Sequence, residues 1–415
     1  MLAVFLIMRS RHNLNMSVRK KVDKLSKEQR KKLVVLMINM FIAVGSFGII
    51  IPILPAYLAS INEGGKAAGL MIAIFAGAQL AMSPIAGKWA DKYGRRVMII
   101  AGLSGLALSM FVFYFSDSIT VLYLSRVIGG VGAALLIPAI FAYVADITTL
   151  DQRAKGNSLI SASMSLGIVI GPGIGGFLAE YGLKMPLLVS ALIGVVAVIF
   201  SAVMLKESKG TEIEVSQEKS ESMFKEIGQT FSKPYFIPLL ITLVMSFGLM
   251  AYESVLGLFV DNEFNASPKD IAILVTSTGI ISVIIQLFVV DRVVRRFGEP
   301  AVLSIFLGVA SGGFLLSIFA STYFMFFVVT MIIFLATSIL RPVLITLISK
   351  LAGNEQGFAM GMNNAYMSIG NILGPLLAGI LFDVNIIYPF ILGLIILVLT
   401  TIGSVRWKAP KKALS

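Results

Sequence analysis

The chemistry open to this chain rests on three ionisable side chains set deep inside long apolar runs: Glu253, Arg126 and Arg341. A charge near the middle of a bilayer costs at least a few kcal/mol, so it faces a cavity or a partner. Glu253 is the one carboxylate that the sequence places at such depth. A carboxyl there can take up and release a proton, and once ionised it is a counter-ion for a lipophilic cation; the alternative is a structural role. Arg341 could pair with Glu253, or bond carbonyls of a neighbouring helix. Gln79 and Asn371, near the middle of their runs, either line a cavity or join helices by hydrogen bonds. Phe47 and Phe259 offer ring faces to a cation. Most of the 28 phenylalanines and 20 methionines must face lipid or packing, although methionine-rich walls suit varied ligands.

Other chemistries are excluded. There is no cysteine, and the single histidine, His12, lies in a basic N-terminal stretch, which removes zinc sites, thiol catalysis and disulfides. No Gly-x-x-x-x-Gly-Lys-Ser/Thr loop occurs, so ATP is not the expected energy source. With no nucleophile–base constellation, no metal cluster and no cofactor motif, an enzyme is not expected.

The elements that must position these residues are membrane helices. Of 415 residues, 57% are hydrophobic and 13% charged, with mean hydropathy +0.91. That is too little polar surface to cover a water-soluble globule. Twelve apolar runs are long enough to span a bilayer: 33–59, 67–90, 97–116, 119–145, 156–180, 185–205, 235–260, 268–291, 300–320, 323–349, 357–382 and 386–406. All but five of the 34 Lys and Arg fall on segments that this alternation puts on one side. The exceptions are Lys66, Lys184 and Lys269 in the opposite loops, and Arg126 and Arg341 within spans. The positive-inside rule therefore predicts cytoplasmic N- and C-termini, in a multi-pass protein of the bacterial cytoplasmic membrane. It also accounts for the net charge of +12 through topology and anionic lipid rather than nucleic acid.

Residues 1–32 read as a disordered basic arm, with Met1 or Met16 as the start; no signal peptide is expected. Residues 33–205 and 235–406 form two six-helix bundles, joined by a charged linker at 206–234 and followed by a tail at 407–415. Within the linker, Met223, Phe224, Ile227 and Phe231 could line one side of a surface helix.

The halves repeat. Gly167, Gly171, Pro172 and Gly176 recur 203 residues later as Gly370, Gly374, Pro375 and Gly379, whereas Gly173 and Gly175 belong to the first copy alone. Glycines at such spacing flatten a helix face, so a partner can slide there, and proline bends the helix. Two such helices, equivalently placed, suit bundles that rock about a midplane cavity.

Between the second and third runs lies Gly87-Lys88-Trp89-Ala90-Asp91-Lys92-Tyr93-Gly94-Arg95-Arg96, with a fainter copy at 291–298. Gly87 permits close packing, and Asp91 can accept hydrogen bonds from the N-terminus of the next helix. This loop resembles the most diagnostic motif of the major facilitator superfamily, and the resemblance extends over 33–406. Arg126 ahead of Gly129-Gly130-Val131-Gly132 resembles the motif of that family's fourth helix. Asp146 and Arg153 match the loop after it, where the resemblance implies a lock with the Asp91 loop in the outward-facing state. The Gly-Pro stretch from Gly167 to Gly176 resembles the motif of drug–proton antiporters, and the resemblance narrows to bacterial multidrug (quinolone) exporters of the NorA/Bmr group. Those exporters carry an aspartate three residues before the arginine matched by Arg341, where this chain has Ser338.

The resemblance implies an all-α membrane protein of twelve transmembrane helices in two pseudo-symmetric six-helix bundles. It implies proton-coupled export of amphipathic drugs and dyes by a monomer, with Arg126 assisting the coupling. Exchange of one proton for one monovalent cation moves no net charge, which leaves only the pH gradient, about 1.4 kcal/mol per unit. A single deep carboxylate then favours zwitterions or neutral drugs over monocations. An exporter of one metabolite or sugar, or a non-transporting membrane sensor, are the alternatives.

Overall fold

The computed structural model describes residues 26–208, 223–353 and 355–407. Among them are fifteen helices and no strand, and twelve of the helices are long and apolar enough to cross a membrane. Helix α1 (Lys27–Ile50) begins earlier than the run at 33, because Ser26 and Gln29 close a capping box. Residues 27–32 are thus helical and not part of a disordered arm; the rest of that arm and the tail from 408 lie outside the described residues. The first run is also broken: three turn residues separate α1 from the short α2 (Leu54–Ser60). Pro52 and Pro55 lack the backbone donors that a continuous helix would need there.

Then follow α3 (Gly65–Tyr93), α4 (Arg95–Phe115), α5 (Ile119–Ile147), α6 (Leu150–Ala179) and α7 (Met185–Met204). In the linker, α8 (Met223–Thr230) leads to Phe231, whose exposed ring meets Phe236 at 4.9 Å, while Ile227 packs beside Tyr235 and Ile348. The second half comprises α9 (Phe236–Phe264), α10 (Pro268–Phe288), the short α11 (Val290–Phe297), α12 (Glu299–Ile318), α13 (Tyr323–Ala352), α14 (Gln356–Val384) and α15 (Tyr388–Arg406).

Within the first half α1 packs on α6, and α5 on α3 and α4; within the second, α9 packs on α14, and α12 on α13 and α15. Large exposed side chains such as Val203, Leu287 and Leu399 face outward, as a lipid-facing shell requires. The halves meet chiefly where α3 lies on α14 and α6 on α10.

These meetings sit at one end, called outer below after the charge assignment. One apolar core there is continuous across both halves, joining Tyr57, Met71 and Phe113 to Tyr252, Phe326 and Phe390. Toward the inner ends the cores are separate, around Leu36, Leu103 and Tyr143 in one half and Tyr235, Ile348 and Tyr366 in the other. The molecule is closed at its outer ends and parted at its inner ends.

Candidate functional site

The space between the halves contains the ionisable residues. Glu253 of α9 is half-buried and lines two cavities. The smaller, about 50 Å³, is apolar apart from Glu253, Ser254 and Arg126, and its wall includes Phe47, Ile50 and Met71. The larger, about 330 Å³, runs past Leu249, Phe334 and Thr337 to Ser338 and Arg341. The preceding residue, Tyr252, points the other way and is fully buried. Its hydroxyl is 2.7 Å from Thr330 Oγ1, and its ring lies 5.1 Å from Phe314. That packing fixes α9 in rotation and holds Glu253 toward the cavity.

Arg126 of α5 is only 3% exposed. Its Nε donates to Ser125 Oγ at 3.3 Å, a second guanidinium nitrogen donates to Ser109 Oγ at 3.3 Å, and the group lies 4.9 Å over the Phe113 ring. Hydroxyls and a π-face, rather than a carboxylate, satisfy this cation.

Arg341 of α13 is exposed to the cavity. It also lines a third space of about 240 Å³ with Thr242, Ser246, Asn363 and Asn364, nearer the inner ends. One turn earlier, the Ser338 hydroxyl donates to Phe334 O at 2.6 Å and stands 2.7 Å from Ser282 Oγ of α10. Among the described residues, none of Glu253, Arg126 and Arg341 takes part in an ion pair within 4 Å.

The softer candidates divide. Phe47 lines the small cavity, its ring 5.1 Å from that of Phe75. Phe259 does not line these cavities; it is buried in an aromatic cluster, 4.8 Å from both Phe326 and Phe390. The rings of four helices pack there, and Phe259 completes that core. Gln79 and Asn371 are half-buried and line none of the three cavities.

The glycine repeat faces two ways. Gly167, Gly171 and Pro172 lie against Gly45 and Gly48 of α1, and Gly175 against Ile49, all within one half. Gly370 and Gly374 lie likewise against Phe247 of α9. A Cβ on Gly171 would meet the Gly45 carbonyl at 2.7 Å. These positions pack within each half, whereas Gly173, Gly176 and Gly379 face the opposite half. Pro375 contributes its carbonyl to that same seam, against Gly69.

At the inner end, Asp91 does not cap α4. Its carboxylate takes the Arg95 guanidinium at 2.5 Å, Arg95 reaches on to Asp146 at 3.5 Å, and Glu207 accepts from the Arg96 backbone at 3.3 Å. Gly94 has φ +94°, and the Glu207 carboxyl occupies the space where a Cβ would stand. Arg96 donates to Ala202 O at 2.5 Å and Arg153 to Ala145 O at 3.1 Å. Gly87 faces open space, as expected of a surface parted from its partner. The sequence reading passed over Ser109 and Ser125, because serines in apolar helices carry no spacing signal. It also passed over the residues that join the outer ends, which the 203-residue repeat could have revealed.

A two-bundle helical membrane protein with its charges around a central cavity has the architecture of a secondary transporter, and similarity to known proteins assigns it to that class and not to the enzymes. The chain belongs to the Major Facilitator Superfamily, whose model matches residues 36–261 and 239–414. It is 41% identical over 387 residues to Multidrug resistance protein 2 of Bacillus subtilis (strain 168), covering 92% of this chain and 97% of that one. It is 36% identical over 359 residues to Quinolone resistance protein NorA of Staphylococcus aureus (strain COL), covering 86% and 92%. Among solved structures, a bacterial homologue of the human lysosomal transporter Spinster, in an inward-facing, unoccupied conformation, superposes with a TM-score of 0.77. At 14% identity over 93% of this chain and all of that one, that likeness concerns the fold.

Proposed function

We propose that the chain is a proton-coupled multidrug exporter that moves amphipathic drugs and dyes, quinolones and lipophilic cations among them, by alternating access. The observation that carries this reading is Glu253, a carboxyl that lines one cavity with Arg126 and another with Arg341 and has no ion pair among the described residues. Deprotonated, it attracts a cationic group; protonated from outside, it releases that group. Arg126 is fixed close enough to share the small cavity with it. Arg341, with Asn363, Asn364, Thr242 and Ser246, offers donors to a carboxylate on the substrate. Both termini are cytoplasmic, the working unit is a monomer in contact with lipid, and the proton gradient is the energy source. The similarity to proteins named for multidrug and quinolone resistance supports the substrate class.

The deciding experiment measures dye efflux from cells across cations, zwitterions and sugars, with and without an uncoupler. Efflux is expected to stop when the proton gradient collapses, and Glu253→Gln is expected to abolish it in a folded protein. Persistence of efflux in the uncoupled cells defeats the coupling; full activity of the Gln variant moves it to another residue.

A further inference from the structure

The repeat also relates contacts that join the two halves at the outer ends. At the end of α6, Gly176 lies against Ala272 and the Pro268 carbonyl of α10, and Glu180 pairs with Lys269 at 2.9 Å. Moved by 203 residues, these positions become Gly379, Gly69, Gly65, Asp383 and Lys66, which meet in the same arrangement between α14 and α3.

The two clasps differ in chemistry. Helix α10 caps itself: Ser267 and Asp270 form a reciprocal capping box. Helix α3 starts after Gly64, which has no side chain to do this. Its first amides are satisfied from the other half, where Asp383 Oδ1 accepts from Gly65 N at 2.6 Å and Oδ2 from Lys66 N at 2.9 Å. The absence of a Cβ at Gly64 makes room, since one would stand 2.6 Å from Oδ1. A carboxylate on the positive end of a helix gains both hydrogen bonds and dipole attraction. By contrast, Glu180 and Lys269 are both substantially solvent-exposed, and such a pair contributes little.

We propose that Asp383 is a conformational latch: a helix cap supplied across the bundle boundary, made only when the outer ends are together. Opening outward strips α3 of its cap, so Asp383 sets the balance toward the outer-closed state. The latch on the α3–α14 side is the stronger of the two clasps, although the repeat makes them positional equals.

The inference presumes only that the protein alternates between two openings, as the export reading also requires. Its test uses neither substrate nor proton gradient, so the two readings fail separately. The natural chain has no cysteine, and exposed Ser118 and Ser321, themselves repeat-related, lie in the two halves' outer loops. Spin labels on S118C and S321C in lipid nanodiscs report the outer separation. Asp383→Ala is expected to raise the open-to-closed ratio roughly two- to thirtyfold, the range for a lost cap. Asp383→Asn keeps one acceptor oxygen but sets an amide NH2 against the second backbone N–H and removes the charge, so it is expected to fall between the natural chain and the alanine variant. Glu180→Gln is expected to move it by less than about fivefold. Lys66→Pro removes a donor without touching α14, at a second helical position where α7, α12 and α15 carry Pro186, Pro300 and Pro389. It is expected to open the outer face as well, and it decides the matter should Asp383→Ala fail to fold. Unchanged distances in the alanine and proline variants overturn the latch, and so does an asparagine variant that opens further than the alanine one.

Discussion

The two arginines inside the membrane stand on equivalent helices of the two halves and are held in opposite ways. On α5, Arg126 is enclosed by two serine hydroxyls and a phenylalanine ring, with its direction fixed. On α13, Arg341 is exposed in the cavity, its near neighbours the uncharged donors and acceptors of Asn363, Asn364 and Ser246. The carboxylate breaks the symmetry again, because the repeat puts Ile50 where the second half has Glu253, and both residues line the same small cavity. One half therefore holds a fixed cation, while the other presents both signs of charge to whatever enters.

The sharpest way to break this contrast is Arg126→Leu. Efflux is expected to vanish, while the unfolding midpoint is expected to hold or rise. Burial of an arginine at a helix centre costs about 3 kcal/mol, against about 0.5–2 kcal/mol for its contact with an aromatic ring. A lower midpoint with efflux retained would make Arg126 a packing residue. Arg341→Gln comes next. Binding of a carboxylate-bearing amphiphile to purified protein is expected to weaken roughly 10- to 100-fold, the worth of a charged hydrogen bond, while its methyl ester binds as before. Equal losses for acid and ester would show that Arg341 shapes the cavity rather than reading charge.

A smaller effect is expected of Ser338→Asp. It removes the hydroxyl bond to Ser282 and sets an acid one turn from Arg341, which makes that arginine more like the restrained one. A pair at that spacing is worth about 0.2–0.5 kcal/mol, so affinity for the carboxylate is expected to fall about twofold. The smallest effect lies at the inner ends, where Lys233 bonds Glu355 at 2.7 Å. That hydrogen bond, aided by one from Tyr235, holds the Glu355 carboxyl below its ordinary value of 4.5. A lowered carboxylate contributes stability above its unfolded value and loses it as pH falls through the folded one. The midpoint difference between the natural chain and Lys233→Met is thus expected near pH 7 and to close below about pH 4. A gap that persists in acid would assign the effect to packing of the lysine stem.

How much of this was legible in the sequence follows from what each signal measures. Hydropathy located twelve spans because each must cross the same thickness of hydrocarbon, yet it missed the break at Pro52, since both pieces are apolar. The depth of Glu253, Arg126 and Arg341 was readable because charge is rare in such runs. The burial of Phe259 was not, because one phenylalanine among 28 carries no information about which way it faces. The glycine motif showed that two helix faces are smooth but not which neighbour each meets. That depended on helix rotation, which put Gly171 on α1 and Gly176 on α10. Asp383 carries no signal in the sequence, since its partners are backbone amides more than 300 residues away.

The outer seam is built from main chain: the Gly69 and Gly379 backbones lie on those of Pro375 and Gly65, and Gly176 on the Pro268 carbonyl. No large side chain stands between the helices at these points, so the two halves close there by direct backbone contact. The inner cavity wall around Arg341, Asn363 and Asn364 takes no part in those contacts, so a chain built this way can vary that wall without disturbing the backbone seam that closes its outer face.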